Sequence, residues 1–387
     1  MNAILRRLLL AVPVGLPLSG QSFTDFTEAR NPPTPFASLF QLELGAIGTK
    51  ADDKDLARGL DDEISWDAKV WYRDDRFMAR RGTLEAYAGR DGLFGSFADG
   101  KLIGDETQTR FEVRARPWQF YRDGYWDDGD LVPNGFYDGE DYEGYVGFGR
   151  EAQQGLYIEL GPYYRKHDFS RSDLTPATFR IPDDFSAYGG RLYLEQSTVQ
   201  MDRRRGMPRE GYVFTLCGER EWNGSRGEFG ADGFETELPS AVWRVRGHLD
   251  WYIPASDTMN WEIFAAGGWH DEKDRLQNTD ASRVLGNQWG DAQLRLRMDL
   301  GGSVTITPYF QAQYSRLLDE TGFRSDKEFF FGGGAEGYLH FSDELSLHAY
   351  YSFVDSDSRP SVRIDEDVHG QHMFFLGMVV RFGASRR

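Results

Sequence analysis

The chain has 387 residues, a formal charge of −18, 15% aromatic residues, 44 glycines and one cysteine. No run approaches the roughly 20 apolar residues that a membrane-spanning helix needs, so any crossing of a membrane must be made by strands closed into a barrel. The acidic balance speaks against nucleic acid as a partner, and a lone Cys217 excludes an intrachain disulfide framework and reads as a small strand residue.

Arg6 and Arg7 precede an apolar run, Leu8 to Leu18, that is broken by Pro13 and Pro17 and followed by a small-x-small site at Gly20-Gln21-Ser22. This layout predicts a secretory leader over residues 1–22. No cysteine follows the apolar run, so a lipid anchor is not expected. Removing Arg6 and Arg7 makes the mature chain still more acidic. Residues 23–35, ending in Asn-Pro-Pro-Thr-Pro, read as a periplasmic linker, and residues 36–387 as a single β-barrel.

From Phe36 onward, polar and apolar residues alternate at period two. Arg110, Glu112, Arg114 and Arg116 alternate with Phe111, Val113 and Ala115. Arg244, Arg246, His248 and Asp250 alternate with Trp243, Val245, Leu249 and Trp251. Gln293, Arg295, Arg297 and Asp299 alternate with Leu294, Leu296, Met298 and Leu300. Strands are predicted near 36–48, 63–73, 77–89, 93–103, 107–121, 141–150, 154–168, 185–199, 208–222, 240–254, 259–271, 287–300, 303–318, 328–341, 344–355 and 369–382. That is about 16, with 14 as the fallback if the Gly-rich stretch 77–103 does not hold.

Alternation alone fits a soluble sandwich as well as a membrane barrel, which differ in the sense of the apolar face. Two features favour the barrel. The apolar faces end in aromatics, such as Trp243 with Trp251, Trp261 with Trp269, and Tyr351 with Phe353, as at membrane interfaces. Short connections near 151–154, 255–258, 301–302 and 342–343 alternate with long ones at 122–140, 169–184, 223–239, 271–286 and 355–368. The expected fold class is therefore all-β, a transmembrane antiparallel barrel of about 16 strands.

In that sense Arg114, Arg116, Arg244, Arg246, Arg295 and Arg297 face the lumen, balanced by Glu112, Glu159, Asp250 and Asp299. They either form a salt-bridged filling or a constriction that favours anionic solutes. Asp123, Asp127, Asp128, Asp130, Asp138, Glu140 and Asp141 crowd one presumed loop, which reads as solvated or as bridged by divalent ions to lipopolysaccharide. No His-Glu-x-x-His, Gly-x-Ser-x-Gly, phosphate loop or metal-ligand spacing is present. His348 shares a face with Ser346 and Ser352 that points inward, and His248, His270 and His340 show no serine partner. No enzyme activity, cofactor or metal is expected.

Two stretches carry a resemblance. The segment Gln371 to Phe382 is similar to the closing strand of bacterial outer-membrane barrels through Gly377, Val380 and Phe382. It departs from that pattern at Phe375, where a polar residue is usual, and in the tail beyond Phe382. The turn Asp202 to Gly211, DRRRGMPREG, resembles the Asp-Arg…Pro-Thr-x-Gly turn of the bacterial surface-antigen superfamily, through Asp202, Arg203, Pro208 and Gly211. That superfamily includes the central barrel of the outer-membrane assembly machinery. Trp251-Tyr252-Ile253-Pro254 and the strand Trp261 to His270 extend the likeness, which covers roughly 186–290 and the closing strand.

The resemblance implies an outer-membrane barrel with a role in transport or outer-membrane assembly. It implies contact with outer-membrane lipid and lipopolysaccharide, and recognition by the barrel-assembly machinery through the C-terminal strand. The loop Asp271 to Trp289 lacks the family's Arg-Gly-aromatic tip, Glu336 stands where Gly332 to Tyr338 would need arginine, and periplasmic POTRA domains are not expected. A porin-like channel for small solutes with a charged lumen is the alternative.

Overall fold

Alternation along each strand decides which side of the wall a residue occupies. The computed structural model describes residues 36–51, 63–77, 82–89, 92–100, 102–103, 107–122, 125–127, 130–132, 136–153, 155–172, 175–202, 207–224, 227–233, 235–271, 287–318, 324–342, 344–354 and 371–385. The leader and linker expected over 1–35 lie outside them.

Sixteen strands form one antiparallel wall: β1 (Phe36–Ala51), β2 (Glu63–Arg76), β3 (Gly82–Gly89), β4 (Gly92–Asp99), β5 (Gln108–Arg122), β6 (Phe136–Gln153), β7 (Leu156–Arg171), β8 (Phe185–Ser197), β9 (Met207–Asn223), β10 (Ala241–Pro254), β11 (Met259–His270), β12 (Gln288–Leu300), β13 (Val304–Leu318), β14 (Arg324–His340), β15 (Leu345–Val354) and β16 (Gln371–Ser385). Each strand pairs with the next, and β16 returns to β1 in a ladder running from Phe36↔Ser385 to Ala51↔Gln371. Closure removes the two sheet edges that an open wall would leave in lipid. Outside the seam, the Phe40 and Phe382 rings stack at 6.4 Å, so the terminal aromatic fastens the last strand to the first.

The sense of the wall is that of a membrane barrel. On β12, Leu294 is 48% exposed and Arg295 3%. On β16, Phe374, Leu376, Met378 and Phe382 are exposed, while Met373, Phe375 and Val379 are buried. Apolar side chains clothe the outside, and ionised ones are enclosed.

The short connections 154–155, 198–206, 255–258, 301–303 and 341–344 share one rim with both barrel ends. Gly301 and Gly302, with φ of +66° and +81°, make one of these turns, in a region side chains avoid. The strand ends joined by the long connections 123–135, 172–184, 224–240, 271–287 and 355–370 lie at the other rim.

Three expectations need correction. β6 begins at Phe136 rather than 141, because Tyr137 and Gly139 pair with Tyr121 and Gln119 of β5. Asp138, Glu140 and Asp141 therefore belong to the wall and not to a loop. The remaining connection carries a small hairpin, Tyr125–Asp127 against Asp130–Val132, which lies against β13 on the opposite side of the barrel. β3 and β4 are shorter than expected, at eight residues each, and their connection on the long-loop rim is only 90–91.

Two of the long connections also cover the mouth. Arg180 and Gly230 exchange backbone hydrogen bonds at 2.9 Å, joining 172–184 to 224–240. They bring Phe229 and Leu238 onto inward-facing Phe185 and Ala187, and Phe179 onto Tyr137, with ring centroids 5.8 Å apart.

Candidate functional site: the charged lumen

The inward faces of β5 to β10 form one ion-pair lattice. Arg191 on β8 is its hub and is 2% exposed. Its Nε donates to Glu219 Oε1 at 2.7 Å and its Nη2 to Glu143 Oε1 at 2.7 Å, while Nη1 lies 3.5 Å from Glu112 Oε1. The faces of Tyr145 and Tyr163 lie 4.9 and 5.2 Å from the same guanidinium. Arg165 donates to Glu143 and, at 2.8 Å, to Glu221. Arg244 grips Glu221 with two bonds of 2.9 and 3.0 Å. Arg110 donates to Glu159 at 3.1 Å, and Glu159 also accepts from Tyr145 and Tyr157.

Burying an ion costs several kcal/mol unless partners of opposite charge and good geometry surround it. Arginine suits that task because its planar fork can serve several carboxylates at once. The tyrosines can lie flat against the wall because glycines sit beneath them. A Cβ on Gly149 would stand 2.1 Å from Tyr157 Oη, and one on Gly189 would stand 2.5 Å from Tyr163 Cζ.

The lattice ends in groups that are more exposed than its centre. Arg114 donates to Glu112 at 2.9 Å, Arg246 lies 3.9 Å from Glu219, and Arg116 pairs with Asp141. Their side chains are 31%, 39% and 47% exposed. In these pairs seven guanidiniums (Arg110, Arg114, Arg116, Arg165, Arg191, Arg244 and Arg246) meet six carboxylates (Glu112, Asp141, Glu143, Glu159, Glu219 and Glu221), and the inward Glu195 and Asp250 add two more acids on the same strands, so the accessible guanidiniums at the margin, not a net positive wall, are what the lattice presents.

A second cluster spans β11 to β15 and β1. Arg295 pairs with Glu336. Arg297 bonds Glu262 at 2.7 Å and donates to the Pro208 carbonyl at 2.6 Å. His348 stands between Glu43 at 2.6 Å and Glu336 at 3.1 Å, stacked on Tyr338 at 4.3 Å. Because its reach to Glu43 passes over β16 at Gly377, it ties β15 to β1 behind the seam. Asp250 bonds His248 at 2.6 Å, and Asp299 accepts from Thr305 Oγ1 at 3.0 Å.

All ten charges singled out in the sequence thus sit on inward faces, but in different company, Glu159 being held by Arg110 in the first lattice. Glu112, Arg114, Arg244 and Arg246 join the first lattice, with Arg116 at its loop-side margin. Arg295 and Arg297 hold the second, and Asp250 and Asp299 make local contacts. The sequence reading missed Arg165, Arg191, Glu143, Glu219 and Glu221, as well as Glu43, Glu336 and His348. They occupy the same alternate positions, but tyrosine, glycine and Cys217 intervene along those faces and dilute the charge pattern.

The histidines need one correction. His340 does face a serine: its Nδ1 lies 2.9 Å from Ser346 Oγ and its Nε2 3.3 Å from Thr305 Oγ1. A carboxylate, Asp299, reaches this histidine only through Thr305, so the order differs from a serine–histidine–carboxylate relay. His270 Nδ1 bonds the Asp271 main-chain carbonyl at 2.9 Å.

At the turn, Pro208 is buried, and Gly211 has φ +98° with Thr198 O only 2.4 Å from where a Cβ would be. Asp202 pairs with Met207 through the backbone, and Arg203 lies outside the described residues, as does most of the 271–289 loop. On β16, a Cβ at Gly377 would meet the Phe375 ring at 2.5 Å, so the ring and the glycine presuppose each other. Val380 and Phe382 point outward.

No protein-family model matches the sequence, and no curated protein does. Among solved structures, CdiB from Acinetobacter baumannii matches with a TM-score of 0.54 at 9% identity, over 89% of this chain and 60% of that one. BamA from Haemophilus ducreyi lacking POTRA domains 1–3 matches with a TM-score of 0.53 at 10% identity, over 90% of this chain and 70% of that one. At such identities the likeness is one of fold. The chain has the barrel architecture of these two proteins and spans less than two thirds of the length of the CdiB chain.

Proposed function

We propose that the chain is an outer-membrane transport barrel of the surface-antigen type, with both termini periplasmic, whose charged lumen passes small anionic solutes. The observation that carries this reading is the connected series Arg114–Glu112–Arg191–Glu219–Arg246. Its buried centre is neutralised, and its two end guanidiniums are accessible from the lumen. A 16-stranded barrel is wide enough for an aqueous path, and fixed cations beside that path favour anions. Short turns on the rim that carries both termini support the periplasmic placement. The outward aromatics Trp243, Trp251, Trp261 and Trp269 suit an interface with outer-membrane lipid and lipopolysaccharide. The outward Val380 and Phe382 suit recognition of the last strand by the assembly machinery.

Planar bilayers under a salt gradient test the proposal. The wild-type barrel conducts with an anion preference, and Arg114→Gln with Arg246→Gln lowers that preference. Arg295→Ala with Arg297→Ala acts on stability instead, because those guanidiniums are locked to Glu336 and Glu262. A reversal potential unmoved by the Arg114 and Arg246 changes would sink the reading.

The fold likeness to BamA and the turn at Pro208 and Gly211 favour a second reading, a role in outer-membrane assembly. Fold alone does not carry function. On this reading a deletion strain has an altered outer-membrane protein profile, and an unchanged profile counts against it.

A further inference from the structure

The lumen arginines all have carboxylates to hold, but β9 also carries an arginine on its other face. Arg220 points outward, on the side of Phe214 and Trp222. Its cross-strand neighbours are Gly190 on β8 and Trp243 on β10. The guanidinium lies 4.9 Å from the centre of the Trp243 ring and 5.8 Å from that of Trp222. Among the described residues, no carboxylate pairs with it. Lys166, nearer the rim on β7, shows the contrast: it is held by Asp168 at 2.6 Å.

The rows around Arg220 fix its depth. One row nearer the long-loop rim, Trp222 and Tyr188 pair across the ladder and stack at 5.8 Å. Tyr164 continues that row on β7, with its hydroxyl 2.7 Å from Ser186 Oγ. One row deeper, Gly218 lies between Leu192 and Val245. Arg220 therefore stands where the aromatic belt meets the apolar band. A cation on the lipid face is costly at that depth unless its head reaches an anion or interfacial water, and a long stem lets it reach toward the headgroups. The floor beside it is open. A Cβ on Gly190 or on Gly218 would meet nothing within 4 Å, so a shallow groove leads from the guanidinium into the apolar band.

Water alone would satisfy the guanidinium but leave the groove and the rings uncovered. A lipid whose headgroup carries phosphate and sugar meets all three. Phosphate fits the planar guanidinium fork. The exposed Trp222 and Tyr188 rings offer flat apolar faces and a hydroxyl to a sugar. The groove over Gly190 and Gly218 accepts an acyl chain. We propose that this patch binds one phosphorylated glycolipid of the lipopolysaccharide class, with a phosphate on Arg220, a sugar against Trp222 and Tyr188, and an acyl chain over the two glycines. The proposal rests on the placement of the long-loop rim outside the cell. It does not depend on ion conduction, so either can fail alone.

The test titrates the folded chain in detergent with lipid A and follows bound lipid by native mass spectrometry. Lipid A stripped of its phosphates and phosphatidylglycerol are the parallel probes. Heat-modifiable migration on gels verifies the folding of each variant. Expected is a retained lipid A that Arg220→Gln binds roughly tenfold more weakly, the size of one charge-assisted contact. Removal of the phosphates weakens binding to the wild type by a similar factor. Arg220→Lys keeps part of the affinity, which separates charge from ring packing. Arg209→Gln, which removes a cation paired with Asp257 at the opposite rim, leaves the affinity unchanged. Equal binding of lipid A by the wild type and Arg220→Gln would overturn the site. Phosphatidylglycerol bound as tightly as lipid A, and still lost with Arg220→Gln, would overturn the glycolipid together with the outward placement of this rim.

Discussion

Arg191 holds three carboxylates from three different strands, and no side chain in the first lattice replaces it. Arg191→Ala leaves Glu112, Glu143 and Glu219 short of their shared cation inside the wall. Removing one partner of a buried pair costs about 3–5 kcal/mol, so the refolded barrel should unfold at clearly lower urea, followed by tryptophan fluorescence. Arg191→Lys should recover only part of the loss, because an ammonium lacks the guanidinium's fork. An unchanged midpoint for Arg191→Ala would show that the lattice contributes little to stability. Gly149→Ala drives a Cβ into Tyr157 and dislodges the ring from Glu159, at about 1–3 kcal/mol. Gly144→Ala, where a Cβ would have nothing within 4 Å, should be close to neutral in the same assay. At this scale the direction of a charge was legible from alternation. Its partner was not, because pairing depends on the stagger between strands that are distant in sequence. Glu336 shows the difference: it read as a misplaced substitute for an arginine and is instead the carboxylate that holds Arg295 and His348.

Among the elements, the strands with clean alternation were legible to within a few residues, as β10 and β12 show. β6 was not. Its first residues, Phe136 to Asp141, include Gly139 and three acids, and such residues are poor in intrinsic strand preference. The ladder to β5 overrides that preference. The same local weakness hid the small hairpin at 125–132, which no periodicity marks. Because this hairpin lies across the lumen against β13, replacing 125–132 by a short Gly-Ser link should raise single-channel conductance and leave the heat-modifiable folded form intact. An unchanged conductance would place the narrowest point elsewhere, for instance under Phe179 and Tyr137.

For the whole molecule, the strand number and the sense of the wall followed from two regularities that composition does not contain: aromatics at the ends of apolar faces, and alternating connection lengths. An even number of strands then brings both ends to one rim. The low wall at β3 and β4 and the folding of loops over the mouth were not legible, since a Gly-rich stretch does not announce where pairing stops. The account rests on greasy side chains meeting lipid while ionised ones meet the lumen. Trp243 is 50% exposed on the outer face, whereas Trp71 is 1% exposed on the inner face with its Nε1 donating to Glu85 at 2.8 Å. The most direct measurement compares two variants, each retaining one of these tryptophans, in bilayers whose acyl chains carry bromine as a quencher. Strong quenching of Trp243 with little quenching of Trp71 is the predicted result. Quenching of Trp71 as strong as that of Trp243, or of neither, would contradict it.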